Sequence, residues 1–312
     1  MNVTRRTFLQ AAGALAGVVV LETVRGTSAK VYANEDFTGH PARFGMLTDT
    51  TICLGCRACE RACNRANNLP PPEKRFADPS VFATERRTTP NAWTVVNQYP
   101  SPTLGGSPIY RKVQCMHCEE PSCVSACLVG ALKKTPEGAV IYNENVCIGC
   151  RYCMNACPFN MLTFEYDDPL RPAIGKCILC YSRNTKAGGV PACASACPVG
   201  ATMFGKRSDL LAIASQRINN NPVRYVDHIY GEQEVGGTGW LYLSAVPFES
   251  ISLPTDLGRQ PYPEFTRDWL LGVPVVLIGW PALFMGLNAL SKRKERLALE
   301  TEQQENKDKE TR

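Results

Sequence analysis

The chain has 312 residues, with 34 Lys and Arg against 29 Asp and Glu, and sixteen of its residues are cysteine. Its formal charge of +5 misleads: residues 1–33 hold four basic and one acidic side chain and residues 291–312 hold seven and six, which leaves the body 23 against 22. A body near +1 offers no basic field for nucleic acid. No P-loop, dinucleotide fingerprint or nucleophile–base pattern occurs, so no catalytic site is read and the chain is not expected to be an enzyme by itself.

In chain order, Arg5-Arg6 precedes a short apolar run that ends at Leu21, the pattern of a twin-arginine export signal over 1–33. The run is too short to span a bilayer comfortably, which favours a cleaved signal over an anchor. The cysteines then fall into four quartets with none left over: Cys53-Cys56-Cys59-Cys63, Cys115-Cys118-Cys123-Cys127, Cys147-Cys150-Cys153-Cys157 and Cys177-Cys180-Cys193-Cys197. The third, closed by Pro158, is the full C-x2-C-x2-C-x3-C-P run that holds [4Fe–4S] clusters in bacterial ferredoxins. Cysteines three apart curl round a cluster and reach three of its irons, while the last points away and serves the other cluster of a pair. The quartets are therefore expected to work in twos, giving four [4Fe–4S] clusters.

Two other uses of cysteine compete with this reading. Eight disulfides would suit an exported chain, but C-x2-C-x2-C crowds the thiols too closely for a regular bridge pattern. Zinc sites usually join two separated C-x2-C pairs; a zinc-stapled binding scaffold stands as the remote alternative.

Nineteen residues separate Cys127 from Cys147, and nineteen separate Cys157 from Cys177, an internal repeat with one small unit per quartet. Segments 139–142, 162–166 and 201–204 read as short strands beside the cysteine loops. The proline-rich connection 64–114 is too long for a turn and is expected to be an inserted docking surface, with strand character at 93–96. Residues 208–219 read as an amphipathic helix capped by Ser208. From 220 to 267 the chain looks irregular and glycine-rich. Residues 269–290 are 22 uncharged positions followed by Lys292, Arg293, Lys294 and Arg296, which predicts a transmembrane helix with a cytoplasmic tail. The expected class is α+β: tandem ferredoxin-like (polyferredoxin) units with short β-hairpins and helices, plus one C-terminal transmembrane helix. The expected divisions are 1–33 signal, 34–230 cluster domain, 231–268 strap, 269–290 span and 291–312 tail. The expected location is the periplasmic side of the inner membrane, held to the lipid bilayer by that single-pass anchor.

Gly45-Met46-Leu47 before the first quartet, Gln114-Cys115-Met116-His117-Cys118, Cys150-Arg151-Tyr152-Cys153-Met154, Tyr230-Gly231-Glu232 and Gly236-Gly237-Thr238 together carry a resemblance. The chain resembles the four-cluster electron-transfer subunits of membrane-bound bacterial oxidoreductases, the hydrogenase-linked ones most and the formate dehydrogenase β subunits next. Proline follows the last cysteine only at Pro158 and Pro198, a local departure that removes no ligand. The resemblance implies a pairing of quartets one with four and two with three. One cluster would take Cys53, Cys56, Cys59 and Cys197, and its partner Cys177, Cys180, Cys193 and Cys63. Another would take Cys115, Cys118, Cys123 and Cys157, and the last Cys147, Cys150, Cys153 and Cys127. It also implies partners: hydrogenase small and large subunits, or a molybdenum/tungsten catalytic subunit, and a multi-span quinone-reactive membrane subunit. His117 is expected in a structural or hydrogen-bonding role, because its quartet already has four thiols. Arg57, Arg151 and Lys176 adjoin cysteines and are read either as charges that raise reduction potentials or as ordinary solvated charges. His40 and His228 are read as isolated.

Overall fold

The computed structural model describes residues 40, 42–101, 106–168, 173–182 and 189–310. The expected export signal lies outside them. Strand β1 (Phe44–Asp49) leads into the first quartet, whose last two cysteines ride on helix α1 (Ala58–Ala66). Between the first and second quartets, β2 (Val95–Tyr99) and β3 (Ile109–Val113) form an antiparallel hairpin. The second quartet includes the one-turn helix α2 (Ser122–Ser125), and the hairpin of β4 (Leu132–Lys134) and β5 (Val140–Tyr142) follows. The third has α3 (Tyr152–Asn155) and is followed by the hairpin of β6 (Thr163–Phe164) and β7 (Ile174–Gly175). The fourth has α4 (Ala192–Ser195); β8 (Thr202–Lys206) and α5 (Arg207–Asn220) come next. Then come β9 (Trp240–Leu243) and the long helix α6 (Tyr262–Glu310).

The pattern closes on itself. Each quartet-to-quartet link is a hairpin, but β8, leaving the last quartet, has no following quartet to pair toward. It returns to β1, antiparallel, with Phe44 opposite Lys206 and Thr48 opposite Thr202. On the other side of β1 runs β9, parallel, with Met46 opposite Trp240. This three-stranded sheet is the widest among the described residues, the others being two-stranded. α5 lays Leu210, Ala214 and Ile218, one every four residues, against Leu47, Leu241 and Leu243. Burial of each large aliphatic side chain there contributes about 1.5–3 kcal/mol.

Several expectations need correcting. The expected helix at 208–219 begins one residue earlier, at Arg207; Ser208 lies inside it and donates to Asp209 Oδ1 (3.1 Å) instead of capping. Residues 220–267 are not irregular throughout, since they contain β9. Gly236-Gly237-Thr238 brings the chain against the second cysteine loop: Glu119 N donates to Gly237 O (2.9 Å), Gly239 N to His117 O (3.1 Å) and Trp240 N to Met116 O (3.0 Å). Gly237 has φ 86°, and a Cβ there would lie 2.9 Å from both Glu232 O and the Arg207 guanidinium. Only glycine fits that crossing.

The expected C-terminal transmembrane helix is also corrected. Among the described residues no helix is long and apolar enough to cross a membrane. Residues 269–290 are not a separate span with a tail behind it. They are the middle of α6, one continuous helix of 49 residues that runs on into the charged stretch beginning at Lys292. Gly272, Pro274, Gly279, Pro281, Gly286 and Asn288 further dilute the apolar run. With the span go the single-pass anchor and the placing of the tail in the cytoplasm.

Candidate metal centre: four cysteine quartets

The same turn is built four times. In each leading C-x2-C, the residue before the second cysteine is left-handed: Gly55 (φ 66°), His117 (φ 50°), Gly149 (φ 70°) and Leu179 (φ 55°). That reversal aims both thiols to one side. In quartets one and three the residue after the second cysteine, Arg57 or Arg151, is left-handed too and starts the helix that carries the remaining cysteines. A second left-handed position follows the last cysteine at Gly130, Asn160 and Gly200. It turns the next backbone N–H onto the sulfur: Ala131 N to Cys127 Sγ (3.1 Å), Met161 N to Cys157 Sγ (3.5 Å) and Ala201 N to Cys197 Sγ (3.2 Å). At Cys63 the helix continues, so Asn67 N is taken by Cys63 O (3.1 Å) and the Asn67 side-chain amide donates to the sulfur (3.5 Å).

All sixteen cysteines are free thiols, and only Cys56 and Cys150 are exposed. Helix α1 packs on α4, and α2 packs on α3, so quartets one and four meet and quartets two and three meet. Burial pushes the Cys53 thiol up to about 11, with Cys197 and Cys56 adding to the shift. Burial raises Cys63 as well, and there the neighbouring thiols are Cys177, Cys193 and Cys180. The same four cysteines line one small cavity together with Lys112, Asn67 and Trp240. Cys118 is raised by burial and by Cys157, Cys123 and Cys115. Burial lifts Cys153 to about 11, helped by Cys127, Cys147 and Cys150. Electrostatic influence also runs between the groups: Cys193 raises Cys59, Cys115 raises Cys177, and Cys153 raises Cys123.

Crowded, buried thiols of this kind resist ionising, yet the thiolate is the ligand. A multiply positive core would hold four of them as thiolates, and metal binding would release their protons. The donor set therefore fits iron–sulfur clusters.

Buried cations accompany the thiols. Lys112 is 2% exposed; it donates to Gln114 Oε1 (3.0 Å) and lies 4.2 Å from the centre of the Trp240 ring. Burial works to lower its pKa, but Cys193, Cys59, Cys177 and Cys63 together raise it above the ordinary lysine value. Lys176, singled out in the sequence, donates to the carbonyls of Val140 (2.5 Å) and Cys177 (2.6 Å). Lys134 donates to the carbonyls of His117 (2.9 Å), Cys118 (2.8 Å) and Gly138 (2.8 Å), and burial pushes its pKa down to about 8. Sequence reasoning missed Lys112 and Lys134. The available signal for Lys112 was its place three residues before Cys115 on a strand that leads into the loop.

The arginines behave differently from expectation. Arg57 donates to Glu60 Oε2 (2.9 and 3.1 Å) and to the carbonyls of Arg75, Phe76 and Asp78 (3.1–3.2 Å), so its charge goes to fastening the 64–114 insertion. Glu60 Oε1 accepts from Val96 N and Arg86 Nη2, both at 2.6 Å, and makes one carboxylate the hub of that region. Arg151 covers the rings of Phe164 and Tyr166. His117 is fully buried; Val140 N donates to its Nδ1 (2.9 Å), and its Nε2 lies 3.5 Å from Cys177 Sγ. Burial, with Lys176, Lys134 and Lys112 nearby, holds it far below the usual histidine range. His228 is not isolated, since it meets Glu234 Oε1 at 2.6 Å.

Comparison with known proteins agrees with the donor set. Two profiles of the 4Fe-4S dicluster domain family match, at residues 52–131 and 108–207. The chain is 47% identical over 296 residues to a protein of Nitratidesulfovibrio vulgaris strain Hildenborough, covering 95% of this chain and 79% of that one. It is 36% identical over 281 residues to the hydrogenase-2 operon protein HybA of Escherichia coli O157:H7, covering 80% and 83%. It is 33% identical over 208 residues to the nitrate-inducible formate dehydrogenase iron-sulfur subunit of Escherichia coli K12, covering 65% and 69%.

Proposed function

For a chain that belongs to the 4Fe-4S dicluster family of iron–sulfur electron-transfer subunits, we propose the role of a four-cluster wire between a hydrogenase and a quinone-reactive subunit. Bound [4Fe–4S] groups would supply one-electron storage; positioning, insulation and docking are the work of the protein. The proposed ligand sets are Cys53, Cys56, Cys59 with Cys197; Cys177, Cys180, Cys193 with Cys63; Cys115, Cys118, Cys123 with Cys157; and Cys147, Cys150, Cys153 with Cys127. The mutual proximity of thiols within each set supports this partition.

The observation that carries the relay is the single file of thiols. The electrostatic influence of Cys193 on Cys59, of Cys115 on Cys177 and of Cys153 on Cys123 supports that order of the sets. The two exposed thiols, Cys56 and Cys150, belong to the first and last sets of that file. Exposed Leu54 flanks the first, and exposed Ile148 and Tyr152 flank the second. Electrons would enter at one of these ends and leave at the other. The insertion is proposed as a further docking surface, supported by the cavity of about 780 Å³ that runs between it, α1 and residues 164–167.

A second reading keeps the wire and replaces the hydrogenase with a molybdenum or tungsten catalytic subunit; the formate dehydrogenase relative favours it. Gentle purification of the full chain with its bound partners, followed by metal analysis, separates the two. About sixteen irons per chain together with nickel is the expected result. Molybdenum or tungsten would select the second reading. A colourless zinc protein would overturn both.

A further inference from the structure

His117 occupies the left-handed position of the second quartet's leading turn, where two other quartets have glycine and the fourth has Leu179. The turn itself does not need an imidazole, because Leu179 makes it with φ 55°. The ring nevertheless lies fully buried and is gripped at both nitrogens. Val140 N can only donate, so Nδ1, 2.9 Å away, is the bare nitrogen and the ring proton resides on Nε2. That N–H faces Cys177 Sγ at 3.5 Å, a sulfur of a different quartet. The loop is braced as well: Gly239 N (3.1 Å) and Lys134 Nζ (2.9 Å) both donate to His117 O.

We propose that His117 is a positioning residue that donates its Nε2–H to the Cys177 sulfur and raises the reduction potential of the cluster Cys177 ligates. This rests on the relay reading above. A donor aimed at an anionic sulfur stabilises the reduced, more negative state over the oxidised one. The proton stays on Nε2 throughout. The hydrogen bond spans the second and fourth quartets, at the junction where Cys177 feels the electrostatic influence of Cys115.

The test uses the full chain purified with its clusters and labelled with ¹⁵N-histidine, of which it has three. Pulsed EPR on the stepwise-reduced protein is expected to show one cluster coupled to a histidine nitrogen, and Cys177→Ser is expected to alter that cluster's signal. In His117→Leu, which borrows the side chain of the fourth quartet's turn, the coupling is lost. That cluster's ratio of reduced to oxidised form at fixed potential falls about tenfold, equivalent to 59 mV for one electron. The other three clusters stay put, and His117→Gln, which keeps an N–H donor, restores most of the shift. Unchanged potentials in a fully loaded His117→Leu chain would overturn the proposal. Should that variant fail to load, the wild-type nitrogen coupling decides alone. Wild-type clusters without any histidine coupling sink the hydrogen bond only; a wild-type chain without EPR-active clusters sinks the relay reading itself.

Discussion

Quartets one and four occupy a different kind of structure from quartets two and three. The first pair is joined through the three-stranded sheet, where β1 takes β8 on one side and β9 on the other, and is backed by α5 and the Glu60 hub. The second pair rests on the hairpins β4–β5 and β6–β7 and two one-turn helices, with its own small apolar cluster around Leu132, Val140, Leu162 and Ile174. The thiol turns are the same in both. What differs is the framework: a three-stranded sheet carries one pair, and two-stranded hairpins carry the other, whose second-quartet loop is also tied to residues 237–240. Small units with little core depend more on their metal for stability.

The largest expected effect tests whether quartets one and four, the pair on the sheet, exchange ligands as proposed. Cys63→Ser should abolish the EPR signal of the cluster held by Cys177, Cys180 and Cys193 and lower the iron content by about a quarter. Loss of the first quartet's signal alone would refute the partition. Next, Glu60→Ala leaves the buried Arg57 guanidinium without its carboxylate and should destabilise the sheet half by about 3–5 kcal/mol. Ile174→Val in the hairpin half should cost only about 0.5–1.5 kcal/mol. Denaturant unfolding of both variants measures the contrast, and equal losses would erase it.

A finer contrast lies in the sulfur hydrogen bonds. In the hairpin half the donors to Cys127 and Cys157 are backbone N–H groups, which side-chain substitution leaves in place. In the sheet half the donor to Cys63 is the Asn67 side chain. Asn67→Ala should therefore lower one cluster's potential by the equivalent of about 1 kcal/mol, read by redox titration, with no counterpart in the other half.

The smallest effect concerns the strap that leads from the sheet. Hydrogen bonding to Glu234 raises the His228 pKa above 6.5; burial pushes the Glu234 carboxyl up, but His228 and the backbone N–H groups of Glu234 and Gly231 together hold it below 4.5. A raised histidine stabilises fully below its unfolded value and loses that contribution as pH rises through its folded value; a lowered glutamate loses its contribution as pH falls. The wild type should exceed His228→Ala most between about pH 5 and 6.5, and the margin should shrink toward pH 8. Because His228 is 45% exposed, the margin should stay under about 1 kcal/mol. Thermal midpoints across that range check it.

The cysteine turns were legible because cluster geometry constrains spacing along a few residues, and those constraints are written locally. The partnership of quartet one with quartet four was not readable from spacing; it came only with the resemblance. β1 escaped notice because Met46 to Asp49 are buried in succession and show no alternation of apolar and polar residues. β9 is buried at all four positions and was hidden by the glycines before it. The helix start was misplaced by one residue because Ser208 is of the preferred N-cap type, whereas the helix begins at Arg207. The C-terminal segment misled in the opposite direction. Its lack of charge was visible, but its continuity with the charged helix beyond was not.

The return of β8 to β1 has a consequence for how the molecule is made. Thr48 pairs with Thr202, so the sheet half cannot close until roughly 150 more residues have left the ribosome, whereas the hairpins need only about ten. Such distant pairing folds late. The hairpin half can therefore mature first, while under the proposed partition Cys53, Cys56 and Cys59 wait for Cys197. During that interval the earliest-made thiols are the last to be sheltered, which makes them the point where oxidants or stray metals would most readily divert assembly.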